Sequence, residues 1–278
     1  MSIRTIEPRP DLQGIVKRFW HTDSQQGYDD FQSVRILADG APGIIFQHSN
    51  GHSTVRDSIG CPLPISFVYG QSTNPCKNQV TASPFIFGVD LFPAALKRVF
   101  GVDAFLLTNS IVDLECLIGS QFNDQLLNAA DVTTVIDLFS ISLFRRLVQQ
   151  ECDYLIEESI RQIMNRAAEV TARSLPSDFN ISQRQFQRRF RDHIGVCPET
   201  YIRIVKFQQS IHLLQNQHYH KLNAISYALG YTDQSYFNRE FKFFSGYTPK
   251  EFLKTLTIQQ PFYQRSKRTL TPLRILLD

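Results

Sequence analysis

Five positions in the last third of the chain occur twice. Phe186, Arg188, Phe190, Gly195 and Pro198 recur as Phe237, Arg239, Phe241, Gly246 and Pro249, every pair 51 positions apart. A constant offset marks a duplicated structural unit, and duplication restricts the fold before any other property is weighed. Within each copy the spacing is helical. Phe186, Phe190 and Ile194 share one side of a helix, and Phe237, Phe241 and Phe244 share one side of another. The opposite sides carry Arg with Gln or Asn. Such a helix seats on a small core and offers hydrogen-bonding side chains to a DNA groove.

Each copy reads as helix, short turn, helix. The first runs from about Ser159 to Pro198, with Ile160, Ile163, Met164 and Ala167 on one helix face and a short helix before Asn180. Asn180 stands where a tight turn takes a left-handed residue, a conformation Asn tolerates. Ser182 caps the next helix with its hydroxyl, Arg184, Gln187, Arg188 and Arg191 face outward, and Gly195 ends it. The second copy turns Leu222, Ile225 and Leu229 inward and stops at Gly230. Asp233 caps its second helix, from which Gln234, Ser235, Asn238 and Arg239 face outward. Residues 199–215 between the copies hold no Gly or Pro, so they form one helix of about four to five turns. A helical spacer fixes the separation of its neighbours, and two helices reading one face of B-DNA sit about 34 Å apart.

Charge follows the same division. Residues 1–159 carry 11 Lys/Arg against 18 Asp/Glu, residues 160–256 carry 14 against 7, and residues 257–278 carry 4 against 1. An acidic front and a basic back point to a polyanion partner for the back alone. A length of 278 residues fits two domains. No run of eighteen apolar residues exists, so no membrane partner is expected. The N-terminal stretch lacks the apolar core of a signal peptide, and the chain reads as cytoplasmic. The five cysteines are scattered without a CxxC pair, which gives no disulfide framework and no zinc finger.

From Ile15 to about Val89 the signals are for strands, at residues 14–22, 33–40, 44–46, 65–70, 77–83 and 85–92, with Asp39-Gly40 closing the second and Pro42-Gly43 before the third as turn pairs. Short strands at close spacing predict a sandwich or barrel. Helices follow after Pro93 and over 132–150, where Val135, Leu138, Phe139, Leu143 and Leu147 make one stripe. Trp20, Phe46, Phe67, Tyr69 and Phe87 are the candidate lining of a pocket for an apolar effector. His48 and His52 flank the Asn50-Gly51 turn rather than one helix face, so no metal site is read from them. Phosphate loops and nucleophile elbows are also missing from the sequence. No catalytic residue, cofactor or metal is therefore expected. The competing class is a DNA-tethered enzyme with the chemistry in the β-domain.

The stretches NISQRQFQRRFRDHIGVCPETYI and ISYALGYTDQSYFNREFKFFSGYTPKEF, set at this separation, resemble the DNA-binding domain of the AraC/XylS family of bacterial transcription regulators. The resemblance implies an α+β chain of two domains: a cupin-like β-barrel or sandwich with trailing helices over 1–156, which senses a small molecule, dimerises or does both, and an all-α double helix-turn-helix domain over 157–256. A basic tail, 257–278, follows. The expected partners are double-stranded DNA, a small effector, a second copy and, from the family, RNA polymerase. Carried over by position, base contacts fall on Arg184, Gln187, Arg188, Gln234, Ser235, Asn238 and Arg239. Arg203, Lys206 and Lys242 are assigned to phosphates, which position a protein without reading sequence. Pro176 departs from the family pattern and predicts a shortened helix starting near Ser174. Ile204 and Ile211 also depart from it; their shared face is expected to pack either on the N-terminal domain or within the DNA-binding domain itself.

Overall fold

Alternation of apolar residues builds the N-terminal half. A computed structural model describes residues 2–23, 32–80, 85–147, 152–215, 222–255 and 275–277. Its strands are β1 (Ser2–Ile6), β2 (Val16–Asp23), β3 (Gln32–Ile36), β4 (Gly43–His48), β5 (Val55–Arg56), β6 (Ser66–Tyr69), β7 (Cys76–Val80), β8 (Phe85–Leu91), β9 (Ile111–Asp113) and β10 (Ile275–Leu277). The larger sheet has the order β1-β2-β8-β4-β6-β9 and the smaller β10-β3-β7-β5. They face each other as a sandwich, not as a closed barrel.

Each face of the larger sheet has its own core. Phe46 lies opposite Phe87, and Ile44 opposite Val89. With Phe19 and Val68 they pack on α1 (Ala95–Phe100) and α4 (Val132–Leu147) through Leu96, Val99, Val135, Phe139 and Leu143. The Phe87 and Phe139 rings stack with centroids 5.4 Å apart. On the other face, Trp20 and Ile86 meet Val34, Val55 and Val80 of the smaller sheet. Two short helices, α2 (Glu115–Ile118) and α3 (Gln121–Leu127), connect β9 to α4.

The helical half comprises α5 (Tyr154–Arg166), α6 (Gln183–Ile194), α7 (Pro198–Gln215), α8 (Leu222–Ala228) and α9 (Gln234–Ser245). Asp153 caps α5 by accepting from the Ile156 N–H at 3.2 Å. Ile160, Ile163 and Ala167 are buried as expected, but Met164 is not; it points outward from the face they share. The spacer helix α7 is buried on two sides. Tyr201, Ile202 and Val205 join the core around Phe186 and Phe190, while Ile204, Phe207, Ile211 and Leu214 join the core around Phe237, Phe241 and Phe244. One helix is thus a wall of both units, which fixes their relation by packing.

The second of those cores also contains Leu37 and Ala38 of the N-terminal half. Ile204 and Ile211 are therefore buried in a core shared by the helical half and the segment after β3, and Ile204 packs beside Gly40 of that segment. The Gln208 amide donates to the Ala38 carbonyl at 2.5 Å. The tail returns as well: Ile275, Leu276 and Leu277 pair with Ile36, Arg35 and Val34. Arg265, Lys267 and Arg268 of the tail lie outside the described residues.

Candidate nucleic-acid interface

Two helices carry the candidate reading residues, and local sequence delimits each. At the start of α6 the Ser182 hydroxyl accepts from the Gln185 N–H at 3.3 Å, and the Gln185 side-chain oxygen accepts from the Ser182 N–H at 3.0 Å. This reciprocal box satisfies donors that a helix start leaves bare. At the start of α9 the Asp233 carboxylate accepts from the Tyr236 N–H at 2.7 Å, and its charge also suits the positive end of the helix. Gly195 (φ 95°) and Gly246 (φ 78°) close the two helices in the left-handed region, where a Cβ is strained.

The segments before the reading helices differ. Pro176 lies in a single 3-10 turn, Leu175–Asp178, which begins after Ser174. The missing proline N–H is tolerated there because the first turn of a helix leaves it unused. In the second unit α8 is an α-helix that ends near Gly230 (φ 65°). Asn180 does not match Gly230. Among the described residues, the non-glycines with positive φ are Asn50 and Asn109. The left-handed expectation for Asn180 is thus corrected: the 3-10 turn leads into α6 through backbone of ordinary hand.

Arg184, Arg188, Ser235 and Arg239 are exposed, and Gln187, Gln234 and Asn238 are half-buried. All seven lie in the first two turns of their helices. The Gln187 Nε2 donates to Glu199 Oε1 at 3.4 Å; since a carboxylate only accepts, this holds the amide nitrogen. The Arg239 guanidinium lies 5.8 Å from the centroid of the Tyr236 ring. Periodicity singled out neither Glu199 nor Tyr236, because their contacts depend on the fold rather than on the outward face of one helix.

Two of the three phosphate assignments are corrected. Arg203 donates to both Glu240 oxygens, at 2.7 and 2.9 Å. Glu240 is 6% exposed, so this guanidinium neutralises a carboxylate inside the domain. Hydrogen bonding to Glu240 raises the Arg203 pKa. The Lys206 ammonium is half-buried over the Tyr231 ring, at 5.5 Å, and burial lowers its pKa. Lys242 is exposed. The position equivalent to Glu240 in the first unit is Arg189, which pairs with Asp153 at 2.5 Å; the His193 ring lies 3.4 Å from the same carboxylate. Opposite charges at one repeat position are legible in the sequence, and each finds a partner on a different helix.

The five candidate effector residues are divided between the two faces of the larger sheet. Phe46 and Phe87 lie in the core under the helices, and Trp20 in the core between the sheets. Phe67 pairs with Ile45 and Tyr69 with Gly43, which puts Phe67 and Tyr69 on the Trp20 face. Alternation along a strand separates neighbours of one composition onto two faces. The Trp20 indole N–H donates to Asp90 at 2.9 Å, and Arg18 pairs with the same carboxylate at 2.6 Å. Among the described residues no group of His, Cys, Asp and Glu could hold a metal ion, and no helix is long and apolar enough to cross a membrane.

Residues 175–255 match the model of a helix-turn-helix domain, and residues 4–113 match that of a domain of unknown function. The HTH-type transcriptional activator RhaS of Salmonella arizonae is 26% identical over 85 residues, which are 31% of this chain and 30% of that protein. RhaS of Salmonella newport gives the same figures. The chain thus spans less than a third of the length of these curated relatives. A structure of ToxT from Vibrio cholerae is similar over 91% of this chain and 98% of its own, at 12% identity and a TM-score of 0.46.

The duplicated unit with its pair of capped, outward-polar helices defines a DNA-binding domain of the double helix-turn-helix class. Through residues 175–255 the chain is similar to helix-turn-helix transcription activators such as RhaS.

Proposed function

We propose that this chain is a sequence-specific transcription regulator that sets α6 and α9 into adjacent major-groove segments of one duplex. The observation that carries the proposal is the equivalence of the two helices: a side-chain cap at each start, a left-handed glycine at each end and the same register of Arg beside Gln or Asn, joined by a helix packed into both cores. Arg184, Gln187 and Arg188 read one segment, and Gln234, Ser235, Asn238 and Arg239 the other. Arg suits guanine, Gln and Asn suit adenine, and each such pair contributes roughly 1–3 kcal/mol of discrimination. Lys242 takes a phosphate. The chain is not an enzyme in this reading, and it acts in the cytoplasm. The domain over residues 1–156 senses a small effector, dimerises or does both, and an effector would contact the Trp20, Phe67 and Tyr69 face rather than Phe46 and Phe87. RNA polymerase is the further partner, in line with the activator name of the RhaS relatives.

The test is selection of bound duplexes from a random pool. Two short motifs about one helical turn apart are expected, with affinity that falls as salt rises. Arg188→Ala and Arg239→Ala should each weaken binding to the selected duplex by roughly tenfold or more and barely alter binding to a scrambled one. Equal losses on both duplexes would reduce these residues to phosphate contacts, and absence of any selected motif would remove the function.

A further inference from the structure

The rear ends of both reading helices rest on the N-terminal domain at the same point of the repeat. Gly195 and Gly246 are equivalent residues, and each meets a side chain from that domain. The Thr108 hydroxyl donates to the Gly195 carbonyl at 2.6 Å. A Cβ on Gly195 would lie 2.9 Å from Thr108 Oγ1 and 3.1 Å from the Ala104 carbonyl oxygen, so the approach is close. One turn earlier, the Arg191 guanidinium lies 4.8 Å from the centroid of the Phe105 ring. At the other cap, the Arg35 guanidinium of β3 occupies the space a Gly246 Cβ would need and lies 4.4 Å from the centroid of the Tyr247 ring. The two contacts differ in chemistry, hydroxyl on carbonyl and cation on aromatic. They meet equivalent backbone all the same. Between them, Ile204 of α7 packs beside Gly40, its Cγ2 3.4 Å from where a Cβ on that glycine would stand, and Gln208 is bonded to Ala38.

We infer that Thr108 and Arg35 are positioning residues for DNA recognition. Through the two glycine caps the N-terminal domain braces α6 and α9 from behind and holds them at one separation. The residues proposed to read bases lie in the first two turns of these helices, and the caps lie at the far ends, so the brace and a duplex use opposite ends of the same rods. Once one helix is seated, a stiff connection raises the effective concentration of the other at its own site. The inference rests on the DNA-reading function proposed above.

The test compares the unaltered full chain with Thr108→Val, Arg35→Met and the double variant. The duplexes carry either both selected motifs, one motif with the other scrambled, or both motifs with one or two extra base pairs between them. The double variant is expected to bind the two-motif duplex on the order of tenfold more weakly. It should bind the one-motif duplex like the unaltered chain, and be penalised less than that chain by the extra base pairs. A merely structural role would not move the spacing dependence. Unchanged binding to the two-motif duplex, equal losses on both kinds of duplex, or tighter binding to the two-motif duplex would each overturn the brace. Circular dichroism checks the fold. Should a variant fail it, Arg35→Lys, which keeps the charge and loses the planar stack, and Thr108→Ala take its place under the same criteria. If the unaltered chain selects no motif, the DNA-reading function itself falls; loss of spacing control in a chain that does select motifs concerns the brace alone.

Discussion

The two helix-turn-helix units keep different parts of a common plan. The second has a full α-helix, α8, before its turn, a left-handed glycine at the turn and a buried Glu240 paired with the spacer helix. The first has one 3-10 turn, no left-handed residue at Asn180, and an exposed Arg189 paired with the cap of α5. What they share is the reading helix itself with its phenylalanines, its closing glycine and the proline after it. Duplication thus preserved the part that must be presented and let the supports diverge. The first unit replaces helix length with local side-chain bonds, as where the Thr171 N–H donates to Ser174 Oγ at 3.0 Å and Gln183 donates to the Ala172 carbonyl at 2.8 Å.

The largest test of this contrast is in the cores. Phe186 and Phe237 are both fully buried, so alanine at either should lower stability by about 3–5 kcal/mol in urea unfolding. A much smaller loss at Phe186 would show that the first unit yields where its leading helix is short. Next come the inverted ion pairs. Arg203→Ala leaves the Glu240 carboxylate buried and unpaired and should cost about 2 kcal/mol, less than a fully buried pair because Arg203 is partly solvated. Arg189→Ala, at the equivalent position, should cost under about 1 kcal/mol. Equal shifts in thermal unfolding would erase the distinction. At the turns, Gly230→Ala forces a Cβ into the left-handed region 2.8 Å from the Ala168 carbonyl oxygen and should cost about 1.5 kcal/mol. Asn180→Ala should stay within about 0.5 kcal/mol, and a loss as large as that at Gly230 would restore the symmetry. The caps should weigh alike in the two units: Ser182→Ala and Asp233→Ala should each cost about 1 kcal/mol, read by the same unfolding measurement.

The helical half was the more legible. Its contacts are mostly near in sequence, so fourfold spacing, caps and closing glycines sufficed to outline α6, α7, α8 and α9, and Pro176 announced the shortened helix. Asn180 misled because a residue type permits a conformation without requiring it. Arg203 and Lys206 misled because a charge on a helix predicts solvent or phosphate equally well until the buried Glu240 and Tyr231 are placed beside it. In the N-terminal half, the longer strands could be read from their alternation. The others could not: β1 does not alternate its Ile3 and Ile6, β5 and β9 are too short for alternation to show, and β10 pairs with a strand far back along the chain, which periodicity does not see. The same limit explains the effector residues: aromatic content was visible, but the face each ring takes depends on strand register.

The pairing of β10 with β3 makes the two halves poor candidates for separation. Cutting the chain between them would strip β3 of its outer neighbour and leave a bare row of backbone donors and acceptors at a sheet margin, a surface on which chains stick to one another. A fragment ending near residue 150 should therefore clump where the whole protein does not.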